Sequence, residues 1–146
     1  MILKRLPTQQ PLFLWRGGRY HMFSEHFSRS ELACRCGCDR CNIKPELLNL
    51  LEKIRSLLRT PIFINSGYRC PTHNKKVGGV PNSWHTQGIA ADIRQTKYSN
   101  DIFHSKVLQA YEEGNLPELG GLGLYNGRIH VDTHKSKDGH LRQWRG

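Results

Sequence analysis

Ser83-Trp84-His85-Thr86-Gln87-Gly88-Ile89-Ala90-Ala91-Asp92 sets a histidine and an aspartate seven positions apart. Its second half, Ile89 to Ile93, reads as a short strand with Asp92 near its end. A later stretch, Gly127-Arg128-Ile129-His130-Val131-Asp132, answers it. In an extended strand Ile129 and Val131 point to one face, while His130 and Asp132 point to the other. Two titratable side chains thus share a face that has no packing reason to carry them. Two imidazoles and one carboxylate, His85, His130 and Asp92, are a sufficient protein shell for a catalytic zinc with the fourth position open to water.

The flanking sequence supplies the frame. Asn126-Gly127 between Gly121-Leu122-Gly123-Leu124-Tyr125 and Arg128–Asp132 is a strong hairpin signal. Upstream, Ser28 followed by Glu31 forms a capped turn. Pro45 and Glu46 then open a helix with Leu47, Leu50, Leu51, Ile54 and Leu58 on one face. That helix reads as core packing without chemistry. Thr60-Pro61 ends it, and Ile62 to Asn65 reads as a short buried strand. Beyond Ser66-Gly67-Tyr68-Arg69-Cys70-Pro71 a polar, Gly-containing loop runs through Val77 to Asn82. A second helix, from about Ser99 to Glu113, buries Phe103, Val107, Ala110 and Tyr111. The expected fold class is α+β: a small antiparallel sheet carrying the metal face, flanked by helices. Residues 1–22 lack a clear period and read as an N-terminal arm; residues 23–146 read as a single domain.

Bulk properties narrow the class. The chain has 146 residues, enough for one domain with a real core without disulfides. A formal net charge of +10 points to a polyanionic partner such as nucleic acid, an acidic membrane or the bacterial envelope. No apolar run approaches the roughly 18 residues of a membrane span. The start, Met1 to Pro7, has early positive charge but lacks an apolar stretch of about 7–15 residues, so no secretory leader is expected.

Five cysteines are an odd count, and Cys34, Cys36, Cys38 and Cys41 form one tight run while Cys70 stands alone. Without a leader this argues against a disulfide framework. The C-x-C-x-C-x-x-C run departs from the paired C-x-x-C knuckles of structural zinc sites. A structural metal on Cys34, Cys36, Cys38 and Cys41, one or more disulfides, and reduced thiols packed in a turn all remain open.

Histidine spacing alone is weak, because the chain has eight histidines and a strand histidine is more often a hydrogen-bonded residue than a ligand. His134 and His140 compete with His130 on that basis. The surrounding words decide. Ser66-Gly67-Tyr68-Arg69, Pro71-x-His73-Asn74, Val77-Gly78-Gly79, Ser83-x-His85-x-x-Gly88-x-Ala90-x-Asp92, Gly121-x-Gly123-x-Tyr125 and His130-Val131-Asp132 occur in one order. Over roughly Phe27 to Asp132 the chain resembles the zinc D-alanyl-D-alanine carboxypeptidase family, with its murein endopeptidase and phage endolysin relatives.

The resemblance implies a hedgehog/DD-peptidase-like fold and one catalytic zinc held by His85, Asp92 and His130. It implies that Arg69 lies beside the substrate and stabilises charge on the tetrahedral intermediate. Ser83 would hydrogen-bond near the metal shell or the substrate's terminal group, and Tyr125 joins them in the substrate-binding set. Many relatives carry H-x-H, but here Arg128 stands in the first position. Others place an acidic base three residues before the last ligand, where this chain has Gly127. Asp132 is therefore the expected base, or else a carboxylate that orients His130 or anchors Arg69. Gly88 and Ala90 are expected to let the backbone pack closely near the metal.

The expected activity is zinc-dependent hydrolysis of a peptide bond in the peptidoglycan stem, as a DD-carboxypeptidase or endopeptidase. The protein would be a monomer, made in the cytoplasm and acting on the cell wall, as a phage or prophage lysis enzyme does. The alternative is a non-catalytic, zinc-containing module that binds wall or peptide. A nucleic-acid reading of the basic tail, Lys135, Lys137, Arg142 and Arg145, finds no stacking or groove-reading motif to support it.

Overall fold

A computed structural model describes residues 23–146; the expected arm, residues 1–22, lies outside them. The alternation read from the sequence builds the central sheet. Strands β1 (Phe63–Ser66), β2 (Ala90–Arg94), β3 (Gly121–Tyr125), β4 (Arg128–Asp132) and β5 (Arg142–Arg145) lie in the order β1-β2-β4-β3-β5. The first four pair antiparallel. One sheet face is apolar: Ala91, Ile93, Leu122, Leu124, Ile129 and Val131 are all buried in one cluster.

That cluster is completed by helices. In α2 (Pro45–Leu58) the buried residues are Leu47, Leu50, Leu51, Ile54 and Leu58. In α4 (Asn100–Glu112) they are Phe103, Val107 and Ala110, while Tyr111 is only half-buried. Burying each such large side chain is worth about 1.5–3 kcal/mol, so these two stripes set the helices on the sheet. Ser99 caps α4 by accepting from the Ile102 amide. The short α1 (Arg29–Leu32) carries the expected capping box between Ser28 and Glu31. Asn126-Gly127 closes a two-residue hairpin, with Tyr125 opposite Arg128. Gly127 has φ +77° and Asn126 does not share a positive φ, so the turn is not the mirror-image type I′.

Three elements depart from the sequence expectation. The stretch from Ile62, expected to be a buried strand, forms β1 at the sheet edge, with Phe63 and Asn65 exposed and Ile64 half-buried. The sheet is mixed rather than antiparallel: the chain doubles back after β4, and β5 pairs parallel to β3, with Gly123 opposite Trp144. The polar stretch after Pro71 begins with a short helix, α3 (Pro71–Lys76), before the glycines of the loop. Pro71 is favourable there because a first-turn residue needs no amide hydrogen bond. Among the described residues no helix is long and apolar enough to cross a membrane.

Candidate metal centre

The second sheet face holds the polar residues, and strand register brings them together. Asp92 of β2 lies directly across from His130 of β4. His85 reaches the same point from the turn before β2. Asp92 Oδ1 lies 3.2 Å from His130 Nδ1 and 3.4 Å from His85 Nε2. All three side chains are buried. A tetrahedral ion with bonds of about 2.0–2.1 Å needs ligand atoms about 3.3 Å apart, so the spacing fits zinc.

Each imidazole is fixed by its other nitrogen. His85 Nδ1 lies 2.9 Å from the Gly67 carbonyl oxygen. That oxygen can only accept, so Nδ1 carries the proton and Nε2 keeps its lone pair toward Asp92. His130 Nε2 lies 2.8 Å from Asp132 Oδ2, leaving Nδ1 for the shared centre. Such outer partners orient ligating histidines and raise their basicity.

Asp132 is fully buried with both oxygens engaged. Oδ2 meets His130, while Oδ1 accepts from the His134 amide at 3.0 Å and from Arg142 Nη2. Burial disfavours its charged form, but the contacts with His130 and Arg142 outweigh this and hold its pKa below the usual carboxylate range. Asp92 is likewise depressed despite burial, through His130 and His85. His130 shows the counterpart: burial lowers its pKa, but the hydrogen bonds to Asp132 and Asp92 prevail and raise it.

The remaining expected residues line the same region. Arg69 Nη2 lies 3.5 Å from Asp92 Oδ2, while its Nη1 and Nε donate to Asn74 Oδ1 and Ser66 Oγ at 3.1 and 3.2 Å. The Arg69 amide also donates to the His85 carbonyl, tying that loop to the ligand turn. Ser83 Oγ accepts from the His85 amide at 3.1 Å. Tyr125 Oη accepts from Trp144 Nε1 at 2.7 Å, which leaves its own proton free to be donated. Arg128 stacks on the Tyr125 ring at 4.6 Å and comes within 4.0 Å of Asp92. Ala90 is fully buried, and a side chain at Gly88 would collide with the Asn42 carbonyl. His134 stacks on Trp84 at 3.9 Å, and His140 is exposed beside Asp138. Neither belongs to the His85–Asp92–His130 group.

The sequence reading missed Arg142 and Trp144, treating their segment as a basic tail. In the fold β5 lays both over the polar face. Gly121 and Gly123 of β3 make the room: a Cβ on Gly121 would lie 2.5 Å from Asp132 Oδ2, and one on Gly123 would lie 2.5 Å from Trp144 Nε1. The sequence of this segment gives no clean period that could have found them, since Trp144 is the one large apolar residue of its four.

The cysteines also regroup. Cys34, Cys36, Cys38 and Cys70 present sulfurs within 4.8 Å of one another. Cys41, the fourth cysteine of the run in sequence, instead points its thiol to the Arg29 carbonyl at 3.8 Å. Cys70 takes its place because the Arg69 loop folds back on the 34–38 turn. All five cysteines are free thiols.

A two-histidine, one-aspartate donor set with an open coordination position is the arrangement of mononuclear zinc hydrolases. The chain belongs to the peptidase M15 family, a family of zinc metallopeptidases, whose model matches residues 21–132. No curated protein matches the chain as a relative. The match ends before β5, so Arg142 and Trp144 lie beyond the matched residues.

Proposed function

We propose that the protein hydrolyses a peptide bond in the peptidoglycan stem, as a carboxypeptidase or endopeptidase, with His85, Asp92 and His130 holding a single catalytic zinc. One observation carries this reading: both imidazoles are pinned from behind, by the Gly67 carbonyl and by Asp132, so that their free nitrogens converge on one carboxylate oxygen. Zinc there supplies a polarising charge and lowers the pKa of water to about 7.

The chain's own residues do the rest. Asp132, with both oxygens engaged, is a positioning residue that fixes His130 rather than a group waiting for a proton. Arg69, held by Ser66 and Asn74, presents a fixed positive charge beside Asp92 that stabilises a developing oxyanion. Tyr125 offers a hydroxyl proton to the substrate, and Ser83 keeps the His85 turn in shape. The net charge of +10 supports an anionic wall polymer as the substrate's setting. The further proposal of a phage-type lysis enzyme rests on the resemblance to endolysin peptidases. Export of the protein by intact cells lacking a holin-type pore removes that part.

One observation favours a second reading, a zinc-containing module that binds wall peptide without cutting it. Among the described residues, no carboxylate other than Asp92 and Asp132 is hydrogen-bonded or ion-paired within the centre, and both are occupied. Purified protein with zinc and a set of muropeptides, followed by mass spectrometry, separates the two. Shortened stems support hydrolysis. Unchanged masses with retained binding support the module, and neither cleavage nor binding rejects both.

A further inference from the structure

Three thiols of one tight run meet a fourth from more than thirty positions downstream, the residue that follows Arg69. Cys34 Sγ lies 3.4 Å from Cys36 Sγ, and Cys36 Sγ lies 3.7 Å from Cys70 Sγ. Cys38 completes the set, with all four sulfurs within 4.8 Å of each other. A zinc ion with four Zn–S bonds of about 2.3 Å requires sulfurs about 3.8 Å apart. The Cys34–Cys36 and Cys36–Cys70 separations match that spacing, and Cys38 lies within reach of the same centre.

The backbone around the cluster is built to hold it. The chain reverses around Cys38, with Gly37 at φ +88° and Asp39 at φ +65° on either side. Arg29 fixes Asp39 at 2.8 Å, and Arg35 Nη2 donates to the Ile64 carbonyl at 2.8 Å, anchoring the turn to α1 and β1. Two amides donate to the sulfurs: Cys70 N to Cys34 Sγ at 3.3 Å, and His73 N to Cys70 Sγ at 3.4 Å. Amide donors of this type favour the thiolate over the thiol. A hydrophobic contact does not explain the set, because Cys36 and Cys38 are exposed.

We propose that Cys34, Cys36, Cys38 and Cys70 bind a second, structural zinc that clamps the 34–38 turn onto the loop carrying Arg69. Cys70 follows Arg69 directly and caps α3, and α3 supplies the Asn74 that orients the Arg69 guanidinium. The clamp thereby sets the position of that arginine without touching the first centre. The proposal is independent of whether the first centre is catalytic.

The test uses the full chain purified in reductant, with zinc counted per chain by elemental analysis. The His85→Ala/His130→Ala double variant is expected to retain one zinc. The thiols of Cys34, Cys36, Cys38 and Cys70 resist alkylation until a strong chelator strips the metal. Cobalt in place of zinc gives a thiolate-to-cobalt charge-transfer absorption in the near ultraviolet. Cys41→Ser leaves that band intact, and Cys70→Ser abolishes it. A folded double variant without metal overturns the proposal, as does a wild-type chain two hydrogens lighter because a cysteine pair is oxidised. Loss of the band in Cys41→Ser with its retention in Cys70→Ser overturns the ligand set. If Cys70→Ser does not fold, the metal count and alkylation of the double variant decide.

Discussion

Asp132 holds the His130 imidazole from two residues further along the same strand, with 2.8 Å between Oδ2 and Nε2. Alternate strand positions share a face, so a single H-x-D word places a ligand and its orienting partner together. Arg142 from β5 fixes the same carboxylate from the other side.

Asp132→Asn keeps the shape but removes the charge that draws on the imidazole proton. Zinc affinity is expected to fall about 10–100-fold, the usual effect of losing an orienting partner. Competition against a chromophoric chelator measures it. Unchanged affinity would show that Asp132 does not support the ligand.

Arg69→Ala removes the fixed charge beside Asp92. If the centre is hydrolytic, kcat on a muropeptide substrate is expected to fall on the order of 10²–10³-fold, with zinc content unchanged. A loss confined to KM would assign Arg69 to binding alone.

Gly123→Ala places a methyl group against the Trp144 indole. Overpacking of this kind costs about 1–3 kcal/mol, read as a lower midpoint in urea. A midpoint equal to wild type would mean that β5 does not lie on the polar face in solution.

Protons compete with metal for His130, whose pKa is held above the ordinary histidine value despite burial. The sign follows: protons compete for the ligand nitrogen, so the apparent zinc affinity falls as pH drops, starting above the free-histidine value of about 6.5. Zinc release followed against pH in the Cys70→Ser variant isolates this centre. An apparent affinity that stays constant down to about pH 6.5 would contradict it.

Much of this was readable in the sequence because its periods were clean. The five buried aliphatics of α2 and the alternation of Arg128–Asp132 each admit one packing, whereas the meeting of Asp92 and His130 was expected from the family resemblance and is made by the β2–β4 register. Arg142–Arg145 could not be read in the same way. It has one large apolar residue in four, and its strand state comes from hydrogen bonds to β3 rather than local propensity. Cys70 was likewise opaque: its partners lie more than thirty positions upstream, and only the folding of the Arg69 loop brings them near. The six residues of α3 are too few to show a period.

Two tryptophans belong to the neighbourhood of the ligand set. Trp84 is the chain neighbour of His85, and the Trp144 ring lies 5.1 Å from that of His130; Trp15 is the third tryptophan in the sequence. The molecule therefore carries its own optical gauge of occupancy. A paramagnetic ion such as Co²⁺ or Cu²⁺ held by His130 beside Trp144 darkens its emission, so a titration cuvette can report loading without label or substrate.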